Sequence, residues 1–480
     1  MLALTNGKIW TGDAACPFAE SVIIDGNRIA AVGGPAPPGA RVIDLRGRLA
    51  TPGFIDNHTH FIDGGMRLSR VQLRDAASPE ELARRIGDHE GAWITGGGWD
   101  HTIWSPPSLP TRRLVDGADR PVFVSRLDMH MSLANSAALR LAGITRETQD
   151  PPGGTIVRDA AGEPTGILKD AAQALVSRVI PPATLEERVA AARAALAEAA
   201  RFGVTALCDM SGDDAYEDAR AYEELGDELT ARIILFTPIL STPPTNARKG
   251  FADGSLGSAT AAFFEPYADD PGNCGLLMPS MTDGRMKAAV EAGRGQLIAI
   301  HAIGDRANDE VLKIFESMPR GRRYRIEHAQ HLNPALIERF ADAEVIASMQ
   351  PYHAVDDGRW MEPKIGPQRA RWAYAFRALL DAGVTVTFGS DWTVAPLDPL
   401  LGVYAAVTRG VTVSEALRCY TANNAYAMFR EHEIGRIVPG MLADIVVLSR
   451  DLFTIAPETI GEVKVDFTIF DGKTIYERSH

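Results

Sequence analysis

The sequence predicts an α/β protein built around a (β/α)8 TIM barrel. Three observations predict it: eight short apolar runs separated by helical patterns, strand-rich segments at both ends, and one stretch between the first two runs that is too long for a loop. With 480 residues, 45% hydrophobic and 23% charged, the chain can bury a large barrel and still carry accessory pieces.

Residues 1–52 read as short strands, with Leu2-Ala3-Leu4-Thr5, Ser21-Val22-Ile23-Ile24 and Arg28-Ile29-Ala30-Ala31-Val32 separated by Gly and Pro. The same texture returns over 431–480, where Ala443 to Leu448 and Asp466 to Phe470 precede an Asp471-Gly472 turn. The two ends are expected to form one small β-sandwich domain. Residues 53–430 carry the barrel, with strands expected at Gly53 to Phe61, Val204 to Met210, Arg232 to Pro238, Arg248 to Asp253, Leu297 to Ala302, Tyr324 to His328, Val345 to Gln350 and Thr385 to Asp391. Leu185 to Arg201 is the clearest helix, since Thr184 can cap it and Glu186 and Glu187 place acids in its first turn. Residues 62–183 break the rhythm and are expected to be an inserted subdomain. It should hold a helix near Pro79 to His89, strands around Trp93 to Gly96 and Val122 to Ser125, and a turn-rich piece from Asp150 to Gly166.

The net charge of −13, with no basic patch, argues against nucleic acid and anionic membranes as partners and leaves a small-molecule substrate. Met1 to Trp10 alternates apolar and polar residues, unlike a signal peptide, and no later run has the length of a membrane span. Cys16, Cys208, Cys274 and Cys419 have no CxxC spacing, so a reducing cytoplasm is the expected compartment. A homodimer is the expected assembly only from the frequency of symmetric oligomers.

Metal-ligand residue types stand where the apolar strands run out. His58 and His60 follow Thr51-Pro52-Gly53-Phe54-Ile55-Asp56, His301 follows Leu297-Ile298-Ala299-Ile300, His328 follows Arg325-Ile326-Glu327, and Asp391 follows Gly389-Ser390. Barrel active sites gather at that face, so four segments would deliver these side chains to one place. Residues two apart on a strand point the same way, which lets His58 and His60 share one ion. With 11 histidines in 480 residues, a chance His-x-His is expected in about one chain in four, so the motif gains its weight from the other three segments. His353, after Gln350-Pro351-Tyr352, is a candidate substrate contact, and Trp99 and His130 are candidate residues closing over the pocket.

The chain resembles the amidohydrolase superfamily, specifically amidohydrolase family 3, the YtcJ-like or N-substituted formamide deformylase-like group. The resemblance covers essentially the whole chain. It rests on Pro52-Gly53-Phe54-Ile55-Asp56-Asn57-His58-Thr59-His60, Gly97-Gly98-Trp99-Asp100, Phe251-Ala252-Asp253-Gly254-Ser255-Leu256-Gly257-Ser258, His301-Ala302-Ile303-Gly304-Asp305, Ile326-Glu327-His328-Ala329-Gln330, Ser348-Met349-Gln350-Pro351 and Gly389-Ser390-Asp391-Trp392.

The resemblance implies one or two divalent ions, zinc first among them. His58, His60 and Asp391 would hold one, His301 and His328 the second, and a carboxylated Lys249 would bridge them, with Lys169 as the alternative lysine. A buried lysine near cations loses its proton readily and can become a carbamate. The implied reaction is hydrolysis of a C–N amide-type bond by metal-activated water, with Asp391 passing a proton to the leaving nitrogen. N-substituted formamides, N-acyl amines and cyclic amides are the implied substrates.

Two other readings stand beside it. A mononuclear deaminase on the same barrel would carry a glutamate three residues after the fifth-strand histidine, where this chain has Gly304. A non-catalytic small-molecule-binding or regulatory barrel would lack bound metal.

Overall fold

The computed structural model describes every residue except 127–130, 152–153, 213, 242–245, 258, 294, 359 and 480. The chain divides into two compact units, Met1–Ile62 with Ala195–His480, and Asp63–Ala194.

The first unit has a TIM-barrel-type α/β fold. Its parallel strands are Phe54–Thr59, Val204–Asp209, Arg232–Leu235, Ala247–Phe251, Leu297–Ala302, Arg325–His328, Ile346–Met349 and Val386–Phe388. Phe54–Thr59, Val204–Asp209, Arg325–His328 and Ile346–Met349 are buried at every position, polar residues included, because a parallel sheet is covered on both faces. Helices such as Asp305–Glu316 and Pro334–Asp342 bury one apolar face each. The second is started by Asn333, whose side chain accepts from Leu336 N, and by Pro334 at its first position.

The expected single ring of eight paired strands is not what the pairing shows. The ladders form two arcs, one of three strands and one of six. The run expected from Arg232 to Pro238 splits at Phe236: Arg232–Leu235 pairs with Val204–Asp209, while Thr237–Pro238 pairs with Ala247–Phe251. Pro238 has no N–H to extend a ladder, and the buried Phe236 donates its own N–H to Asp209 O at 2.8 Å. At the other end, the eighth strand meets the first through an isolated bridge between Thr59 and Trp392 and through Asp391 N donating to His58 O at 2.7 Å.

A six-stranded sheet interleaves strands from both ends of the chain, in the order Lys473–Glu477, Val465–Phe470, Ile445–Leu448, Leu49–Pro52, Lys8–Trp10 and Phe18–Ala19. A four-stranded sheet of N-terminal strands shares its core, in which Leu4, Val22 and Ile43 meet Ile9, Ile445 and Ile469. Arg232, on the third strand, ties the barrel to the terminal sheet through ion pairs with Asp444 and Asp471.

The second unit is a six-stranded sheet backed by helices. Helix Pro79–Gly87 is capped by Ser78 and buries Leu82 and Ile86. The segment expected to be turns from Asp150 to Gly166 instead contributes two antiparallel strands, Gly154–Arg158 and Pro164–Asp170. Its Gly, Pro and Asp residues concentrate the turn at the tip, where Asp159 Oδ1 accepts from Ala161 N and Glu163 N. Leu185–Arg201 is helical as expected, and Thr184 and Glu187 form reciprocal side-chain-to-backbone bonds at its start. No described helix is long and apolar enough to cross a membrane.

Candidate metal centre

His58 lies in the first strand, Lys249 in the fourth, His301 in the fifth and His328 at the end of the sixth, while His60 and Asp391 follow the first and eighth. All six line one cavity of about 390 Å³, together with His353. Asp391 Oδ1 stands 3.6 Å from His58 Nε2 and 3.3 Å from His60 Nε2. The ligand atoms of these three residues lie within 4.8 Å of one another. The His58 and His328 ring centroids are 5.0 Å apart, and those of His301 and His328 4.6 Å.

The buried residues behind the histidines decide which nitrogen each one offers. Glu327 Oε2 lies 2.5 Å from His58 Nδ1, and an ionised carboxylate only accepts, so Nδ1 carries the proton and Nε2 faces the cavity free. Arg325 donates to Glu327 Oε1 at 2.9 Å and to Asn57 Oδ1 at 2.9 Å, and Ser348 donates to Glu327 Oε2 at 2.8 Å. Burial alone would raise the Glu327 pKa, but Arg325 and His58 hold it well below the usual carboxylate range. Burial pushes His58 down to about 4, so its imidazole is neutral and able to bind a cation. On the sixth strand, His328 Nδ1 pairs with Gln350 Oε1 at 2.7 Å, which again leaves Nε2 free.

Neither Arg325, Glu327 nor Gln350 emerged as a site residue from the sequence. Arg325 and Glu327 sit two apart on a strand that is buried at every position, so both face the same side as a buried ion pair, and that spacing is the signal that could have found them. Asp56 adds a cross-link, because its Oδ1 accepts from His58 N at 3.1 Å and from Ser390 N at 2.9 Å. The backbone is turned sharply where the candidate ligands leave their strands. His328, Ala329 and Asp391 have φ of 72°, 42° and 56°, a region that non-glycine residues adopt at a cost and that recurs at functional sites.

Gly389 is required by a close approach, since a Cβ there would lie 2.7 Å from His58 N and 2.8 Å from Asp56 Oδ1. Gly389→Ala is therefore expected to displace His58 and weaken cation binding about tenfold or more, read by titration against a chelator. Wild-type affinity in that variant would show that the contact is not critical.

Lys249 is buried, and burial pushes its ammonium down to about 8 against the pull of Glu327 and Asp391. Its Nζ lies 3.4 Å from His58 Nε2. Lys169 lies in a strand of the second unit's sheet. His301 Nε2 contacts Gly254 O at 2.9 Å and lies 3.3 Å from Asp253 Oδ1, so that nitrogen is already engaged. His353 opens helix His353–Asp357, and its Nε2 lies 3.9 Å from Asp391 Oδ2.

The expectation that Trp99 closes over the pocket is corrected. It is fully buried in the core of the second unit, and its indole N–H donates to Val124 O at 2.9 Å, so it keeps no polar group for a substrate. His130 lies outside the described residues.

The donor set fits a divalent cation of the zinc type: His58 and His328 are neutral imidazoles whose outer nitrogens are already bonded, and His60 and one ionised carboxylate stand beside them. Burial alone would raise the Asp391 pKa, but His58, with His60, His328 and His353, holds it well below the usual range. Asp391 Oδ1 and His353 Nε2 are buried polar atoms without a hydrogen-bond partner among the described residues, and such atoms are rare unless something else satisfies them.

Residues 41–476 match the amidohydrolase family. The chain is 34% identical over 488 residues to the Bacillus subtilis (strain 168) protein named putative amidohydrolase YtcJ, covering 92% of each chain. It is 28% identical over 537 residues to the N-substituted formamide deformylase of Arthrobacter pascens, covering 100% of this chain and 98% of that one. Among solved structures it is similar to an uncharacterized metal-dependent hydrolase from Pyrococcus furiosus, with a TM-score of 0.81 and 29% identity, covering 94% of this chain and 100% of the other. With this match over nearly its full length, and with imidazoles and an acid gathered at the strand ends, the chain belongs to the amidohydrolase family, in its YtcJ-like group of metal-dependent hydrolases.

Proposed function

We propose that the protein hydrolyses a C–N amide-type bond in a small molecule, with N-substituted formamides as the first class to test and N-acyl amines and cyclic amides beside them. The observation that carries this reading is the convergence of His58, His60 and Asp391. Similarity to a formamide deformylase over the whole chain supports the choice of substrate. Zinc in the cytoplasm is the expected setting.

A bound divalent cation supplies Lewis acidity, lowering the pKa of water and polarising a carbonyl. The chain's own residues do the rest. His58, His60 and Asp391 would hold the cation, and Glu327 and Gln350 keep His58 and His328 in the tautomers that present Nε2. Asp391 accepts the proton from the attacking water on a carboxylate oxygen and returns it to the departing nitrogen. Phe251, Leu256, Ile303, Trp360 and Val394 give the cavity an apolar wall for the N-substituent. Lys249, whose ammonium burial pushes down to about 8, is suited to carry carbon dioxide as a carbamate, in which form it would offer cations an anionic ligand, with His301 and His328 as the residues that would hold a second ion.

In the same reading, residues 1–52 and 431–480 form the β-sandwich domain, 53–430 the metal-dependent (β/α)8 hydrolase barrel and 62–183 its insertion, assembled as a homodimer.

The deaminase reading is disfavoured by geometry as well as by residue type. A Cβ at Gly304 would lie 2.0 Å from Ala262 O, so no acidic side chain fits at that position. The test is release of amine and formate from N-substituted formamides by the purified protein. Chelation is expected to remove at least about 99% of the activity and added zinc to restore it. Turnover that survives complete loss of metal would reject the reading, and a protein that binds no metal would favour the non-catalytic barrel.

A further inference from the structure

The cavity that carries the candidate metal centre has two ends of different chemistry. At the buried end stand the histidines, Lys249 and Asp391, whose Oδ1 has no hydrogen-bond partner among the described residues and marks the space as one that a ligand completes. Phe251, Asp356 and Val394 are exposed and mark the mouth, with Asp357 and Trp360 half-buried beside them. Asp357 is built into that wall. Its Oδ2 accepts from Tyr374 Oη at 2.5 Å and from Gln330 Nε2 at 2.9 Å, while Oδ1 accepts nothing from the described residues. Asp357 lies one turn beyond His353 on helix His353–Asp357, so it shares the face of the residue that approaches Asp391. Burial raises its pKa, and Tyr374, His353 and Gln330 oppose the rise. Arg409 senses the charge of Asp357, yet its guanidinium donates to Ala354 O at 2.9 Å, and neither Asp356 nor Asp357 has an ion pair among the described residues. Lys249 is the one lysine or arginine among the described residues that line the cavity, and it stands at the buried end, 3.4 Å from His58 Nε2. An anionic group at the mouth would therefore meet two carboxylates and no counter-charge. A cationic group would meet both acids and an indole, the ring type that attracts cations most strongly.

We propose that the substrate carries a positive charge on its N-substituent, an ammonium at the end of a short alkyl chain, seated between Asp357 and Trp360. The proposal rests on the amide-hydrolase reading above and narrows its substrate class. The bond broken is the amide C–N bond: water gives its hydroxyl to the acyl carbon and its proton to the departing nitrogen, so the products are a carboxylate and a diamine. Leu256, Ile303 and Val394 offer apolar contact to the methylenes between the two nitrogens.

Three formamides of matched chain length test this: N-(aminobutyl)formamide, N-(hydroxybutyl)formamide and formamidopentanoate, which end on an ammonium, a hydroxyl and a carboxylate. With zinc-loaded full-length protein, kcat/KM is expected to be highest for the ammonium compound, about tenfold or more above the hydroxyl compound, and lowest for the carboxylate. Asp357→Asn, whose amide oxygen can still accept from Tyr374 and Gln330, is expected to bring the ammonium-to-hydroxyl ratio within about threefold of one. Asp356→Asn, at an exposed position, is expected to lower the same ratio about two- to fivefold and keeps the test open if the first variant fails to fold. Equal kcat/KM for the three compounds, a preference for the carboxylate, or a ratio that neither variant moves overturns the cationic substrate and leaves the hydrolase reading intact. Turnover of none of the three rejects the formamide reading, and calorimetric binding of the ammonium and hydroxyl compounds then decides the ammonium seat by itself. Binding of the ammonium compound about tenfold tighter than the hydroxyl compound, lost in Asp357→Asn, supports the seat, and equal or absent binding overturns it.

Discussion

Asp391→Asn is expected to retain the fold and melting behaviour of the wild type and to lose about 10²- to 10⁴-fold in turnover. The fold should survive because asparagine matches aspartate in size and tolerates the positive φ of 56° at this position. The backbone bond from Asp391 N to His58 O, at 2.7 Å, is also untouched. What changes is charge. Asp391 is the anion that His58, His60, His328 and His353 surround, and those rings keep it ionised despite burial. An amide there offers one weaker acceptor oxygen and two donor hydrogens, which repel a cation and cannot take a proton from water. Circular dichroism, melting and steady-state kinetics on one preparation separate the outcomes. A folded variant that keeps more than about a tenth of wild-type turnover would remove Asp391 from proton transfer.

The sequence exposed the candidate ligands because their chemistry clashes with their setting. His301 and Asp391 follow mainly apolar runs, His58 and His328 stand near the ends of buried strands, and a polar group there needs a reason. The residues that orient them were hidden by the same pattern. Glu327 lies inside the sixth strand, where alternating polar residues usually mean a solvent-facing edge, and only coordinates show that Arg325 and His58 converge on it. Trp99 misled in the opposite direction. It stands out as a candidate for closing over the pocket, yet Gly96, Gly97 and Gly98 have positive φ of 117°, 134° and 85°, and a Cβ on Gly97 would lie 2.2 Å from Ser125 O. These glycines let strands approach within a sheet and place the indole in a core. The break at Phe236 was illegible because an apolar run reads the same whichever neighbour it pairs with.

Glu327→Ala is expected to be the most destabilising single change at the site, costing about 3–5 kcal/mol, because it leaves Arg325 as an uncompensated buried charge. Both side chains are fully buried, with Arg325 NH2 2.8 Å from Glu327 Oε1, so no solvent can replace the lost partner. The same change frees His58 to rotate and to take the other tautomer, and cation affinity should fall about 10- to 100-fold. Glu327→Gln separates the two effects, since its amide oxygen can still accept from His58 Nδ1 while Arg325 loses its counter-charge. The pH dependence has a defined sign. The folded pKa of Glu327 lies below its ordinary value of 4.5, so the stability it contributes is fully present above that value and is lost as pH falls toward the folded pKa. The gap between wild type and Glu327→Gln in urea unfolding should therefore be widest near neutrality and narrow below about pH 4.5. A gap that stays constant from pH 7 to pH 3, with unchanged zinc affinity in both variants, would mean that the buried acid neither stabilises the barrel through its charge nor orients His58.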